Sequence, residues 1–224
     1  GTTTAYVGRM RVSNMMNANP PNIPGFCEWI KAMVADEPAR VQAIVTGAPE
    51  LVTMRATSQD EVLLTQIRHQ VYEGDSALHI AAAAHDLAIV DLLLAKGADV
   101  RAANRLGAQP LHYAADGGPA SPQWAAQAQS DVIHRLFDAG ADVNAKNKLG
   151  VAPLHRAVRG RSSAAVQALL ECGADIALKN KGGSTPAQLA QWATGASGSG
   201  SPEARQEQEK IIRLLRAKSA GLRV

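Results

Sequence analysis

Gly107-Ala-Gln-Pro-Leu-His112 and Gly150-Val-Ala-Pro-Leu-His155 are two copies of one six-residue pattern, which recurs in looser form at Gly74-Asp-Ser-Ala-Leu-His79 and Gly183-Ser-Thr-Pro-Ala-Gln188. The first two copies have the same spacing as the last two, and the spacing between the middle copies is longer. An apolar run follows each of the first three copies, and after it comes a second motif, Gly-Ala-Asp-Val or Gly-Ala-Asp-Ile, which begins at Gly97, Gly140 and Gly173. Self-similarity with a period of about 33 residues predicts a solenoid of stacked units.

The two motifs, in fixed order and at fixed spacing, resemble those of the ankyrin repeat over residues 74–217. The resemblance implies an all-α helical solenoid with short β-hairpin-like connections, in which each unit has an inner helix, an outer helix and a projecting hairpin. We expect four units, at residues 74–104, 105–147, 148–180 and 181–218. An extended N-terminal arm (1–25) and a helical N-terminal cap (26–73) precede them, and a C-terminal tail (219–224) follows.

The predicted N-terminal cap carries three helical signals. Residues 26–35 and 38–46 are predicted to form two short helices, the second of which ends at Gly47. Ser58-Gln-Asp-Glu61 has the spacing of a capping box, and an apolar stripe follows it. We therefore predict a third helix over 59–70. An atypical first unit is expected because an end repeat has one core face that no neighbour covers.

Units two and four are longer than their neighbours, and the extra residues fall between the inner and the outer helix. We compare the stretch from the turn between the two helices to the middle leucine of the outer helix. It covers residues 85–93 in unit one and 161–169 in unit three, but 118–136 in unit two and 194–214 in unit four. Both insertions contain Ser-Pro, at Ser121-Pro122 and Ser201-Pro202, a pattern that starts helices. Ten more helical residues would lengthen an outer helix by about 15 Å. We expect two long outer helices that flank a notch over the turn of unit three, with the flexible stretch 195–201 beside it.

The composition limits the classes of protein to which this chain can belong. Apolar residues make up 46% of the 224 residues and aromatic residues only 4%, so small aliphatic side chains must fill the core. No apolar run is long enough to cross a bilayer, and the predicted arm, 1–25, lacks the apolar segment of a signal peptide. Cys27 and Cys172 lie in different units, which favours reduced thiols. These features favour a cytoplasmic monomer without a membrane partner, and the start at Gly1 leaves localisation open.

Positive charge is concentrated at the predicted hairpin tips of the C-terminal half. The net charge of +3 divides into −4 for residues 1–147 and +7 for residues 148–224. Ankyrin-like tips typically place Asp where this chain has Asn104, Asn147 and Asn180. The missing acids leave two predicted rows of uncompensated cations, one with Arg105, Lys148 and Lys181 and one with Lys146 and Lys179.

A periodic basic row indicates an anionic partner, and a solvated edge without a partner is the alternative explanation. We favour another protein with an acidic segment over nucleic acid, because no aromatic residues for base stacking interleave with the lysines.

The inner helices and the notch supply the other candidate contacts. The helical register places Tyr113 and Arg156 on the concave side, and Arg159 and Arg161 at the turn of unit three, beneath the notch. Trp124, at the start of the unit-two insertion, either contacts the partner or packs that insertion onto unit three. Tyr, Trp and Arg carry much of the binding energy of protein interfaces. The predicted function is therefore a non-catalytic protein-interaction module or scaffold.

No catalytic motif or cofactor motif stands out. Stacked helices lie about 8–10 Å apart, too far for the histidines that share one repeat position to converge on a zinc ion at about 2 Å. The resemblance implies instead that this row, His79, His112 and His155, bonds backbone groups of adjacent turns. Ser76 superficially suggests a nucleophile, yet Gln109 and Ala152 fill the same position. Because no phosphate-binding loop or dinucleotide fingerprint is present, we expect no enzyme activity, metal or cofactor.

Two alternatives stay open at this point. The first is the recruiting or regulatory domain of an enzyme system, which requires chemistry within residues 1–73, such as Cys27 close to His69. The second is capture of a small anionic ligand or nucleic acid at the basic tips, in which case binding should collapse with added salt.

Overall fold

The computed structural model describes residues 25–35, 38–121, 123–192 and 202–221. The described residues contain ten α-helices in five consecutive pairs: α1 (Phe26–Ala35) and α2 (Pro38–Gly47), α3 (Ala77–Ala83) and α4 (Leu87–Ala95), α5 (Pro110–Ala114) and α6 (Ala126–Asp138), α7 (Pro153–Gly160) and α8 (Ser163–Glu171), α9 (Pro186–Trp192) and α10 (Pro202–Ser219). Residues 1–24 of the predicted arm, the end of the predicted tail and the stretch 195–201 lie outside the described residues.

The helices stack in two rows. The inner helices α3, α5, α7 and α9 lie one on the next, as do the outer helices α4, α6, α8 and α10, and the pair α1–α2 extends the stack at its N-terminal end. The all-α repeat solenoid predicted from the two motifs is confirmed. Among the described residues, no helix has the length and apolarity needed to cross a membrane.

Local sequence explains where the outer helices begin and end. The Asp86 carboxylate accepts the backbone N–H of Ile89 at the start of α4, and the Ser162 hydroxyl accepts the N–H of Ala165 at the start of α8. The second motif ends each of the first three regular outer helices with a glycine at positive φ, between 89° and 95°. Glycine adopts this backbone conformation without steric cost, so the chain can turn into the next hairpin.

The histidines of the six-residue pattern join neighbouring units, as the ankyrin resemblance implied. In each, Nδ1 accepts a backbone N–H at the start of its own inner helix, and Nε2 bonds a backbone carbonyl of the following unit. The Nε2 partners are Ala108, Val151 and Ser184, at 3.0–3.1 Å. Burial lowers the pKa of His79 to about 3 and that of His112 to about 4, so the neutral ring is the buried form.

The two helices expected at the N-terminus are present, but the third, over 59–70, was wrong. A 3-10 helix over Ser58–Asp60 is followed by a β-hairpin of β1 (Leu63–Leu64) and β2 (His69–Gln70). The capping box begins at Thr57, one residue before the predicted Ser58, and holds only this short turn. Leu64 and Val71, on opposite arms of the hairpin, are both buried. Tertiary packing of the two arms therefore prevails over the helical pattern.

The hairpin belongs to an insertion at a connection between units. In a regular tip, Asn104 donates its N–H to the carbonyl of Ala108, four positions along the chain. Ala56 likewise donates its N–H to the carbonyl of Asp75, but this carbonyl lies 19 positions along the chain. Gly74 donates its N–H back to the carbonyl of Ala56, just as Gly107 donates to the carbonyl of Asn104. Residues 57–73 thus form a long tip that follows the helix pair α1–α2.

The insertions of units two and four match the prediction of two long outer helices only in part. In unit two, α6 begins at Ala126 rather than at Ser121-Pro122 and has 13 residues, against 9 in α4 and α8. In unit four, α10 begins at Pro202, as the Ser-Pro pattern predicts, and has 18 residues. The described part of the second insertion, from Pro202 onward, is thus helical, while the first insertion contributes a loop beside the turn of unit three.

Candidate binding site at the hairpin tips and the notch

Backbone hydrogen bonds fix three basic residues in one row along the hairpin tips. Arg105 donates its N–H to Glu73, Lys148 to Leu106 and Lys181 to Leu149, at 2.8–2.9 Å. Each bond joins one tip to the tip before it, so the three side chains occupy equivalent positions in successive units.

Arg105, however, is neutralised by the N-terminal insertion. Its guanidinium makes a two-pronged ion pair with the Glu61 carboxylate, at 2.5 and 3.2 Å, and lies 5.3 Å from the centre of the Tyr72 ring. The hydrogen bond from Arg105 lowers the pKa of the Glu61 carboxyl, which stays ionised. The prediction that Arg105 lacks a counter-charge was therefore wrong.

The lysines of the later tips remain available. Lys148, Lys179 and Lys181 are exposed and have no ion-pair partner among the described residues, while Lys146 donates through Nζ to the backbone carbonyl of Lys179 at 3.2 Å. Leu149, between the two lysines of the first row, is 64% exposed. The tips of units three and four therefore combine unpaired positive charge with one exposed apolar side chain.

Asparagine gives these tips their shape without adding negative charge. The side-chain oxygen of Asn147 accepts the N–H groups of Leu149 and Val151, each at 2.9 Å, and Asn180 accepts that of Ser184 at 3.0 Å. An aspartate would supply the same acceptor oxygen together with a negative charge. The choice of asparagine thus leaves one negative charge out of each tip.

Tyr113 was predicted on the open concave face, and that prediction was wrong, because its side chain is fully buried. The Tyr113 hydroxyl donates to the Asp75 carboxylate at 2.8 Å and accepts from the Asn104 amide at 2.9 Å. Its ring lies 4.4 Å, centre to centre, from the ring of His69, which the N-terminal hairpin brings over it. Burial raises the pKa of Asp75 to about 6. Tyr113 therefore holds the hairpin against the inner helices and is not a partner contact.

Arg156 lies next to this cluster and is also largely engaged. Its guanidinium forms an ion pair with the Asp116 carboxylate and sits 5.6 Å from the centre of the Tyr113 ring. Because its side chain is only 15% exposed, Arg156 links units two and three more than it presents charge to solvent.

The notch is a cavity of about 780 Å³ over the turn of unit three. Five parts of the fold line it: the hairpin residues 67–69, Ala83 at the end of α3, the unit-two loop 116–121, the unit-three turn 159–161, and Ala204 of α10. Arg159 and Arg161 both line it, as the sequence predicted. Arg68 lines it too and was missed, because its position depends on the fold of the long N-terminal tip.

Glycine brings the backbones of units two and three together at the notch. A β-carbon on Gly118 would lie 1.9 Å from the carbonyl oxygen of Gly160. A β-carbon on Gly160 would lie 2.5 Å from the carbonyl oxygen of Gly117. No side chain fits between the two turns. The glycines at 117, 118 and 160 are the sequence signals for this contact, but nothing in the sequence shows that the two turns meet.

Trp124 holds the unit-two insertion against the helix α6 of its own unit, and a shared acceptor, Gln129, connects it to unit three. Its indole N–H donates to the side-chain oxygen of Gln129 at 2.7 Å, and the Ser162 hydroxyl donates to the same oxygen at 2.7 Å. The Gln129 amide in turn donates to the carbonyls of Ala114 and Asp116. Trp124 thus fixes the wall of the notch.

Cys27 shows none of the features of an activated thiol. Its Sγ donates to the backbone carbonyl of Asp60 at 3.3 Å, and burial raises its pKa. It does not line the notch, where His69 lies. The Cys27–His69 site that an enzymatic alternative would need is therefore not formed by the described residues.

Two family models match the chain. A model described as ankyrin repeats (3 copies) matches residues 42–121, and a model described as ankyrin repeats (many copies) matches residues 136–190. The two matches together cover more than half of the sequence, and the first begins within α2, before the first six-residue pattern. No curated protein matches the chain. The chain belongs to the ankyrin-repeat family.

Proposed function

We propose that this protein is a non-catalytic binding module that captures an acidic segment of another protein at the hairpin tips of units three and four. Ankyrin repeats generally mediate protein–protein interaction, and a solenoid of this kind presents its tips as an extended edge.

One observation carries the proposal: Lys148, Lys179 and Lys181 are exposed along one edge and have no ion-pair partner among the described residues. Such a row raises the local concentration of an acidic partner and fixes its register. Backbone hydrogen bonds hold the tips in place, so little ordering is required when the partner binds.

Leu149 favours a protein over a free anion as the ligand. It is 64% exposed, and Lys148 precedes it while the N–H of Lys181 donates to its carbonyl oxygen. An apolar side chain among cations suits a peptide that carries both acidic and apolar residues, because the apolar contact adds binding energy that salt does not screen.

The test is affinity capture from the lysate of the producing organism with three baits. The wild type is compared with Lys148→Glu/Lys181→Glu and with Lys31→Glu/Lys96→Glu, a control with the same change in net charge and with both exposed lysines away from the tips. We expect a protein that the wild type and the control retain and the tip variant loses. Equal retention by the tip variant, or no retained protein at all, would contradict the proposal.

A further inference from the structure

We propose that the notch is a second binding site, which takes the carboxylate groups of an extended acidic peptide segment through Arg68 and Arg159. For the class of ligand this inference rests on the proposed function. It concerns, however, a different surface, made by two insertions that the regular units lack.

The walls of the notch come from these insertions. The turn of the β1–β2 hairpin supplies Ile67 and Arg68, and the unit-two loop supplies the stretch from Asp116 to Ser121. Both segments line the same cavity as the turn of unit three, which carries Arg159, and the unit-two loop also touches that turn at Gly160. A regular unit has a four-position tip and a short turn at these places, so the cavity is a property of this chain rather than of the repeat.

The charge of the lining is predominantly positive. Arg68 and Arg159 are exposed, and neither has an ion-pair partner among the described residues. Arg161 is a third cation of the lining, and the proposal does not depend on it. The acidic residue of the lining, Asp116, is held in its ion pair with Arg156. Guanidinium groups bind carboxylates through paired hydrogen bonds, which matches a ligand rich in Asp or Glu.

The size and floor of the cavity also suit a peptide. A volume of about 780 Å³ falls within the range of about 300–1,000 Å³ typical of ligand sites. The contact of Gly117 and Gly118 with Gly160 leaves main chain without side chains at one side of the cavity. Ile67, together with the nearby Pro119, adds apolar surface for the ligand's aliphatic atoms.

One extended segment can contact both the tips and the notch. Lys148 lies five positions before Pro153, the first residue of α7, and Arg159 lies in the last turn of that helix. The helical part rises about 9 Å, and the five positions before it add at most about 17 Å. An extended peptide advances about 3.3 Å per residue, so about eight residues cover the longest such path. A six-residue acidic peptide, about 20 Å long when extended, is a sufficient probe of each site by itself.

The test is an NMR titration of ¹⁵N-labelled protein with hexaglutamate, and with hexaglutamine as the uncharged control. We expect saturable shifts of the amide signals of Gly117, Gly118 and Gly160, and none with hexaglutamine. In Arg68→Gln/Arg159→Gln, the apparent affinity measured from these glycines should fall about tenfold or more. Gly47, the last residue of α2 and outside the lining of the notch, reports whether the fold is intact.

The variant Lys148→Glu/Lys181→Glu separates this inference from the proposed function. Shifts at the notch glycines should persist in it, while shifts at the tips disappear. Hexaglutamate that shifts only the tip signals of the wild type would overturn the notch site and leave the proposed function standing. Equal notch shifts with hexaglutamine, or undiminished affinity in the arginine variant, would also overturn it.

Discussion

Replacing Gly118 by alanine tests the backbone contact on which the notch is built. The new β-carbon would lie 1.9 Å from the carbonyl oxygen of Gly160, whereas ordinary van der Waals contact begins near 3.4 Å. The two turns would have to separate by about 1.5 Å, and no side-chain rotation relieves the clash because the obstacle is backbone. Overpacking of this kind costs about 1–3 kcal/mol, so we expect Gly118→Ala to lower the free energy of unfolding by about 2 kcal/mol.

Urea unfolding followed by circular dichroism measures this change, and Gly47→Ala is the matched control. A β-carbon at Gly47 meets nothing within 4 Å, and alanine favours the end of α2, so the control should be as stable as the wild type or slightly more stable. A Gly118→Ala protein with an unchanged urea midpoint would refute the reasoning, because the two turns would not then be in contact.

The buried side chains should respond in three ways. Tyr113→Phe removes the hydroxyl that donates to Asp75 at 2.8 Å, and should lower the free energy of unfolding by about 1–3 kcal/mol; an unchanged urea midpoint would show that the carboxylate does not need this partner. Burial lowers the pKa of His79 to about 3 and that of His112 to about 4, so between pH 6.5 and 4 the unfolded chain binds more protons than the folded chain. The urea midpoint should therefore fall as the pH is lowered through this range. Asp75, whose pKa is raised to about 6, and Asp116, whose pKa burial also raises, act in the opposite direction. Burial also lowers the pKa of His69 to about 4 and that of His85, so the histidines outnumber these two carboxyl groups, and a constant midpoint would contradict the assignment. Leu169→Ala, at a fully buried site, should cost about 2–5 kcal/mol in the same urea assay, whereas Leu149→Ala should change stability by less than about 0.5 kcal/mol; equal costs would contradict the burial of Leu169.

The repeat architecture could be predicted because its determinants are local and recur. The histidine of each six-residue pattern bonds the start of its own helix and the next unit, so its position marks the unit wherever it occurs. The tip lysines could be predicted for the same reason. Lys148 and Lys181 occupy equivalent positions, and the same backbone hydrogen bond holds each of them.

The rest could not be predicted, because it depends on one irregular segment and on where that segment packs. Residues 57–73 form a long tip that places Glu61 against Arg105 and His69 against Tyr113. Both contacts join positions 44 residues apart, and no periodic pattern relates such positions. The expected exposure of Tyr113 was wrong for this reason, and Arg68 was missed although it lines the notch.

The central claim is that an acidic protein segment lies against the tips of units three and four, and site-specific photo-crosslinking tests it most directly. A benzophenone amino acid replaces Leu149, which is 64% exposed among the tip lysines, and in a control protein it replaces Leu87, at the start of the outer helix α4. After irradiation in the lysate of the producing organism, adducts are identified by mass spectrometry. We predict an adduct from position 149 that maps to an acidic segment and is not formed from position 87. No adduct at position 149, or the same adducts at both positions, would contradict the account.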